Sequence, residues 1–303
     1  MARSEACPDE TKQHWTENAD RPAASVPYGG ARSGESRSFR RAVSFGRDRS
    51  EKLRALSLDP RFRSFSPDLS QFTLFAALYA SFLNRVTGDP VVRIGAPAHN
   101  RSAPSDKATV GLFIELFPLE LEIGEDTGFA EFYKTVQAEV FSYLKHARPG
   151  ASSAASAARF NAVLNYIPVQ FGSFAGLPVT ARWLHAGAHD AGQDLRLHVY
   201  DFNGTGVWTV EMDFNAGVFS NDQAAAAEAQ FLALVDAALA DPDVDLSKAA
   251  LMPREDAEGF AVQRGAALAA SDSTVLDRFR TQAADTPEEV ALNEAGREIP
   301  YPE

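Results

Sequence analysis

Cysteine is nearly absent from this sequence: Cys7 stands alone among 303 residues. One cysteine makes no internal disulfide and no thiolate metal cluster. Long apolar runs are missing too. Nothing approaches the roughly 18 residues of a membrane span, and the opening MARSEACPDE has none of the apolar stretch a secretory signal needs. Basic charge is in deficit, with 29 Lys and Arg against 41 Asp and Glu and a net charge of −12. A nucleic-acid partner would need a basic footprint, so none is expected. Neither HExxH, GxSxG, a P-loop nor GxGxxG occurs, which leaves hydrolase and nucleotide-binding readings without an anchor. His185 and His189 are four apart, but Gly187 between them argues against a helix and no third ligand is in view, so no metal is expected. The expected location is cytoplasmic, with no membrane partner.

What remains is a chain with 45% hydrophobic residues, enough for a sizeable core. Its charge is uneven. Residues 1–65 hold thirteen Lys and Arg against nine Asp and Glu, and RSGESRSFRR is the densest basic run, read as a solvated edge.

Residues 1–36 are polar, with Pro22, Pro27 and Gly29-Gly30, and read as an extended connector with a short helix around Trp15. Phe39, Val43 and Phe45 predict a strand, after which Asp48 is the expected cap of a helix to about Leu58. In 69–88, Leu69, Phe72, Phe75, Leu78, Tyr79, Phe82, Leu83 and Val86 recur at helical spacing, and Gly88 is the expected stop. VVRIGAPA (91–98) reads as a strand. TVGLFIELFPLELEI (109–123) reads as the next one, with Val110, Leu112, Ile114 and Leu116 on one face and Gly111, Phe113, Glu115 and Phe117 on the other.

A second amphipathic helix is predicted over 127–147, with Thr127 as cap and Phe129, Phe132, Tyr133, Val136, Val140 and Leu144 as its apolar face. His146 near its end suits the helix dipole. GASSAASAA (150–158) reads as a loop and 159–167 as a strand. The alternating stretches 194–202 and 207–214, joined by NGTG, predict a hairpin. An Ala-rich helix follows over 221–240, then a turn over 241–246. Residues 252–273 read as a linker, and a helix and a strand begin after it. Since about 30 residues cannot bury a core alone, the C-terminus is read as a fragment edge. These residues predict an α/β domain with no self-sufficient catalytic constellation.

The order of the motifs carries a resemblance. DETKQHW resembles the segment that enters the C-terminal lobe of a non-ribosomal peptide synthetase condensation domain. IGAPAHNR (94–101) resembles that family's G-x-P-x-x-x-R turn, and VGLFIELFPLEL (110–121) its V-G-x-F-x-N-T strand. KHARPG (145–150) is similar to H-x-x-x-P-F, RFNAVLNY (159–166) to F-x-V-x-x-N-Y, and residues 194–220 to the hairpin that follows. The tail from Thr274, TVLDRFRTQAADTPEEVALNEAGREIPYPE, resembles the opening of an adenylation (AMP-binding) domain.

The resemblance implies an α/β fold, the chloramphenicol-acetyltransferase-like half with a mixed sheet packed with helices. It divides the chain into a connector from a missing first lobe (1–36), the condensation-domain C-terminal lobe (37–251), a linker (252–273) and a truncated adenylation start (274–303). Such domains are implied to join a carrier-bound acyl or peptidyl thioester to a carrier-bound amine, in a tunnel between two lobes. The family's HHxxxDG motif lies in the other lobe and is absent here, so no residue of this chain is expected to be catalytic and the chain alone is expected to be inactive.

Asn100, Arg101, Gly111, Phe113, Glu115, Asn165 and Asp194 are the implied substrate-tunnel or inter-lobe residues. Arg101 matches the arginine that in the family pairs with the aspartate of that motif. No directly bound cofactor is implied. The substrates ride on the phosphopantetheine of peptidyl or acyl carrier proteins, and those and the missing lobe are the implied partners. The sequence departs from the family where Glu115 replaces Asn, Glu120 replaces Arg and Gly150 replaces Phe. A starter, ester-forming or non-catalytic subfamily fits these changes equally, as does a module that only docks a carrier protein or partner lobe. Another acyltransferase of the superfamily is the third reading.

Overall fold

A computed structural model describes residues 9–17, 23–32, 34–101, 104–124, 126–152, 160–252, 274–294 and 296–301. The chain forms two compact units, residues 1–254 and 255–303. In the first, a six-stranded mixed sheet carries a helical layer. Its strands are β1 (Ser38–Val43), β2 (Val91–Ala98), β3 (Glu115–Glu122), β4 (Ala162–Ile167), β7 (Leu195–Tyr200) and β8 (Thr209–Asn215), in the order β1-β8-β7-β4-β2-β3. A two-stranded ribbon, β5 (Ser173–Phe174) and β6 (Leu177–Pro178), stands apart from the sheet. The pairs β2–β4 and β4–β7 are parallel, and the other ladders of the sheet are antiparallel.

The helices are α1 (Asp9–Glu17), α2 (Gly46–Leu58), α3 (Pro67–Thr87), the short α4 (Pro104–Ala108), α5 (Phe129–His146) and α6 (Asn221–Ala240). The central one is α3, buried through most of its length against β2, β4, α2, α5 and α6. Ser66 caps it by accepting from the Leu69 amide at 3.2 Å, Pro67 opens it, and Gly88 ends it in the left-handed region at φ 76°. Leu195, Leu197 and Val199 on β7 and Val210, Met212 and Phe214 on β8 are all buried, as the hairpin pattern predicts. Trp15 of α1 is 2% exposed, packs on Phe117 and donates Nε1–H to the His146 carbonyl at 3.0 Å.

Four local expectations are corrected. Asp48 does not cap α2. Phe45 holds that position and Asp48 lies in the first turn, where a carboxylate suits the helix dipole. Thr127 does not cap α5. Gly128 precedes the helix, and the Phe129 and Ala130 amides donate to the carbonyls of Val244 and Pro242 at 2.8 and 3.0 Å, so the turn over 241–246 does the capping. A Cβ on Gly128 would meet the Asp243 carbonyl at 3.0 Å, so the close approach of that turn needs glycine. Leu144 is not core but 46% exposed.

The largest correction is in 109–123. The strand begins only at Glu115, and Val110, Leu112 and Ile114 are 100%, 88% and 56% exposed. The ladder cannot run further, because β2 ends at Ala98, paired with Glu115, and Asn100 turns away with φ 51°. The carbonyls of 106–113 go to side chains instead: Arg101 donates to those of Asp106, Thr109 (2.7 Å) and Gly111 (2.7 Å), and Asn100 Nδ2 to that of Phe113 (3.1 Å).

Residues 153–158 of the loop expected over 150–158, and 253–273 of the expected linker, lie outside the described residues. The second unit contains α7 (Val275–Asp285), opened by a Thr274–Asp277 capping box, and a hairpin of β9 (Val290–Glu294) and β10 (Arg297–Pro300). Val275, Leu276, Phe279 and Leu292 are more than half exposed. Among the described residues no helix is long and apolar enough to cross a membrane.

Candidate substrate cleft

Because β2 and β4 are parallel neighbours, their C-terminal ends meet at one edge of the sheet, where antiparallel β3 begins. The N-terminus of α3 and the C-terminus of α5 close over that edge and leave a cleft of about 400 Å3. Leu69, Phe72, Tyr143, Leu144 and Tyr166 give it an apolar interior, and Asp68, His99, Asn100 and Arg148 supply polar groups. A second hollow of about 340 Å3 shares Asp68 and Tyr166 with it and runs on to Arg54, Gln71, Asp201 and Trp208. Tyr166 donates its hydroxyl to Gln71 Oε1 at 2.8 Å, and burial pushes its phenol above the usual range. An elongated amphipathic molecule has the right shape and chemistry for such a groove.

The seven sequence-predicted residues fall in four places. Asn100 lines the cleft, and Glu115 pairs with Ala98 at the same edge. Arg101, Gly111 and Phe113 form the adjoining loop, with the Arg101 guanidinium 4.3 Å above the Phe113 ring. Glu115 accepts from the amides of Gly150 at 2.8 Å and Ser152 at 3.1 Å.

Asn165 lies elsewhere, on the sheet face away from the helices. Its Nδ2 is 3.3 Å from His198 Nδ1, and His198 Nε2 is 3.0 Å from Asp213. Asp194 sits at the opposite edge of the sheet, fully buried. Arg32 reaches both its oxygens, at 3.4 and 3.2 Å, and Asn161 donates to it at 2.6 Å.

Sequence reasoning missed Tyr166, Leu144 and Arg148 in the cleft, and it missed a buried ionic cluster. Arg40 on β1, Glu211 and Asp213 on β8, and His198 on β7 meet under Trp183. The signal was present as charged residues at the outward positions of strands whose inward positions are apolar. Ser38, His185 and Asp213 also converge here, but not as a nucleophile and base. The Gly187 amide donates to His185 Nδ1 at 3.2 Å, so the ring proton is on Nε2 and points at Ser38 Oγ, 3.2 Å away. Among the described residues no group of three or more His, Cys, Asp or Glu is placed to hold a metal ion.

The condensation domain family model matches residues 10–260. This chain belongs to the condensation domain family. A dimodular nonribosomal peptide synthase of Bacillus subtilis (strain 168) is 27% identical over 228 residues, covering 71% of this chain and 9% of that protein. Surfactin synthase subunit 1 of the same organism is 23% identical over 226 residues, 71% of this chain and 6% of that protein. Among solved structures, the first condensation domain of the calcium-dependent antibiotic synthetase, in complex with a substrate analogue, aligns with a TM-score of 0.67 at 21% identity. It covers 83% of this chain and 55% of that one. A four-domain nonribosomal peptide synthetase bound to AMP and glycine aligns with a TM-score of 0.67 at 17% identity, over 97% of this chain and 24% of that one. The chain therefore spans less than a tenth of these two synthetases and about half of the solved condensation domain. Its fold is the chloramphenicol-acetyltransferase-like fold of condensation domains, a mixed sheet packed with helices.

Proposed function

We propose that this chain is the C-terminal lobe of a non-ribosomal peptide synthetase condensation domain, followed by the first residues of an adenylation domain. Its role is to supply one wall of the tunnel in which a carrier-bound acyl thioester meets a carrier-bound amine. The observation that carries the reading is the amphipathic cleft at the shared end of β2 and β4, lined by Asn100, with Glu115 starting β3 at the same edge. The reading needs nothing bound directly by the chain. Substrates arrive on the phosphopantetheine of carrier proteins, in the cytoplasm, without a nucleic-acid or membrane partner.

The proton-transfer histidine belongs to the HHxxxDG motif, which these 303 residues do not contain. The chain alone is then inactive and works with a first lobe. The test supplies that lobe as a separate polypeptide together with acyl- and aminoacyl-loaded carrier proteins, and follows amide formation by mass spectrometry. Product only when both lobes are present supports the reading. No product with a lobe known to be competent on its own partner sinks the catalytic form of it.

One observation favours a second reading, a non-catalytic docking module. Arg101 holds three carbonyls of the 106–111 loop, so the exposed Val110, Leu112 and Ile114 are presented on a fixed backbone. A fixed apolar loop is a surface to be covered. Association with the first lobe that survives while amide formation is nil would favour this reading.

A further inference from the structure

We infer that Glu115 is a positioning residue that fixes one rim of the cleft and so sets the size of the acyl group the cleft admits; this rests on the cleft being the substrate wall proposed above. The rim is the turn Arg148-Pro149-Gly150-Ala151 that follows α5. The Ala151 amide donates to the Arg148 carbonyl at 3.1 Å, Pro149 and Gly150 take the two central positions, and Gly150 has φ +80°. Proline then a left-handed glycine is the sequence of a type II turn. Glycine thus stands where the family pattern has Phe because the backbone there disfavours any side chain.

The turn is pinned at two points. Ala151 is fully buried in the core. Glu115 grips the other side, one carboxylate oxygen accepting from the Gly150 amide at 2.8 Å and the other from the Ser152 amide at 3.1 Å. Only a carboxylate offers two acceptor oxygens at that reach. Asn and Gln offer one, and Asn is also a methylene shorter. Hydrogen bonds to a charged acceptor are the stronger kind.

What the clamp holds is functional surface. Ala147 and Arg148 line the cleft and face the first turn of α3 at Ser66, Asp68 and Leu69. The exposed Arg148 guanidinium has no partner among the described residues. The Trp15 bond to the His146 carbonyl holds the helical part of this wall, and with Glu115 in place its Arg148 end stands at a fixed distance from the Leu69–Phe72 wall. Without it, the turn keeps its covalent ends and the Ala151 anchor but loses its tie to β3, and the cleft relaxes toward larger occupants. The ligand class is an apolar acyl group on a pantetheine-type amide arm.

The test uses the full chain with Glu115→Gln and Glu115→Asp, and Gly88→Ala as a destabilised control remote from the cleft. Two readouts are taken: hydrogen exchange at the Gly150 and Ser152 amides, and calorimetric affinity for acetyl- and octanoyl-pantetheine amides. In Glu115→Gln, which keeps one acceptor oxygen, at least one of the two amides exchanges about tenfold faster, and the octanoyl-to-acetyl affinity ratio rises by about threefold or more. Glu115→Asp, a methylene short, changes both in the same direction and serves if Glu115→Gln fails to fold. Unchanged exchange overturns the clamp. Faster exchange with an unchanged ratio, or an equal change of ratio in Gly88→Ala, reduces Glu115 to a structural role and overturns the inference. If the wild-type chain binds neither amide, the cleft reading itself fails and the inference with it, whatever the exchange shows.

Discussion

Arg40 and Asp213 face each other across the β1–β8 ladder and form a two-pronged ion pair. Arg40 Nε donates to Oδ1 at 2.6 Å and Nη2 to Oδ2 at 2.8 Å, with both side chains largely withdrawn from solvent. Burial pushes the Asp213 carboxyl up, but hydrogen bonds from Arg40 and His198 and their charges more than reverse this and hold it well below the usual carboxylate range. A buried pair of this kind is costly to break, because the surviving charge stays behind.

Asp213→Asn is therefore expected to cost about 2–4 kcal/mol, less than the loss of an isolated pair because Glu211 still contacts Arg40 at 2.7 Å. Urea unfolding at pH 7 measures it. The sign of the pH dependence follows from the depressed folded pKa. The pair's stabilisation is present above the unfolded pKa of about 4 and is lost as pH falls through the folded value. The wild type should lose stability steeply below pH 4 and Asp213→Asn less steeply. Parallel curves would mean that Asp213 is not the group responsible.

Close packing further along the same face of the sheet gives a second expectation. Gly95 in β2 lies directly under the Phe160 ring, and a Cβ there would collide with ring carbons. Gly95→Ala must displace the ring or the strand, at about 1–3 kcal/mol. Phe160→Ala in the same chain should abolish most of that penalty, since two residues in contact do not act additively. If the double variant costs the sum of the singles, the strand and not the ring absorbs the strain.

The legible parts of this fold were those where one rule acted alone. The Leu69–Val86 spacing could satisfy only a helix and Gly88 ended it, although the helix opens two residues earlier, at Pro67 after the Ser66 cap. The NGTG hairpin was equally unambiguous. Sequence failed where side chains captured backbone groups from far along the chain. Val110 to Ile114 alternate like a strand, yet Arg101 and Asn100 take the carbonyls that a ladder would need. Thr127 looked like a cap because nothing local tells that the carbonyls of 242–244 already serve α5. In the site, the motifs brought Asn100 and Glu115 to one edge, while Asp194 went to the other because it precedes β7, whose parallel neighbour β4 ends at the cleft.

Glu139 on α5 gives a dependence of opposite sign. Burial pushes its carboxyl up to about 7; the Glu120 charge adds to this and the hydrogen bond from the Glu120 amide, at 3.3 Å, opposes it. An acid with a raised folded pKa contributes stability that is full below its unfolded pKa of about 4.3 and is lost as pH rises through about 7. Glu139→Gln should flatten the stability profile between pH 5 and 8, with a gain on the order of 2 kcal/mol at pH 8. Thermal unfolding at a series of pH values reads this. A variant less stable than wild type at pH 8 would show that the carboxylate is satisfied there.

Asp194 and Arg101, both implied by the motifs as substrate-tunnel or inter-lobe residues, should separate sharply under substitution. Asp194 is fully buried and holds Arg32 and Asn161. The Asp194→Ala change leaves the Arg32 guanidinium and the Asn161 amide with only the carbonyls of Ala24 and Ser25 as acceptors and opens a hole in the core, at about 2–3 kcal/mol. Arg101 is bound to the carbonyls of an exposed loop, where water replaces a lost donor. Arg101→Ala should cost about 1 kcal/mol or less. Its effect should appear instead in exchange of the 109–113 amides and in association with a supplied first lobe, because Val110, Leu112 and Ile114 lose their fixed backbone. If Arg101→Ala unfolds the chain as Asp194→Ala does, the loop is part of the core's stability and not a presented surface. If it leaves both exchange and association untouched, Arg101 holds nothing that a partner reads.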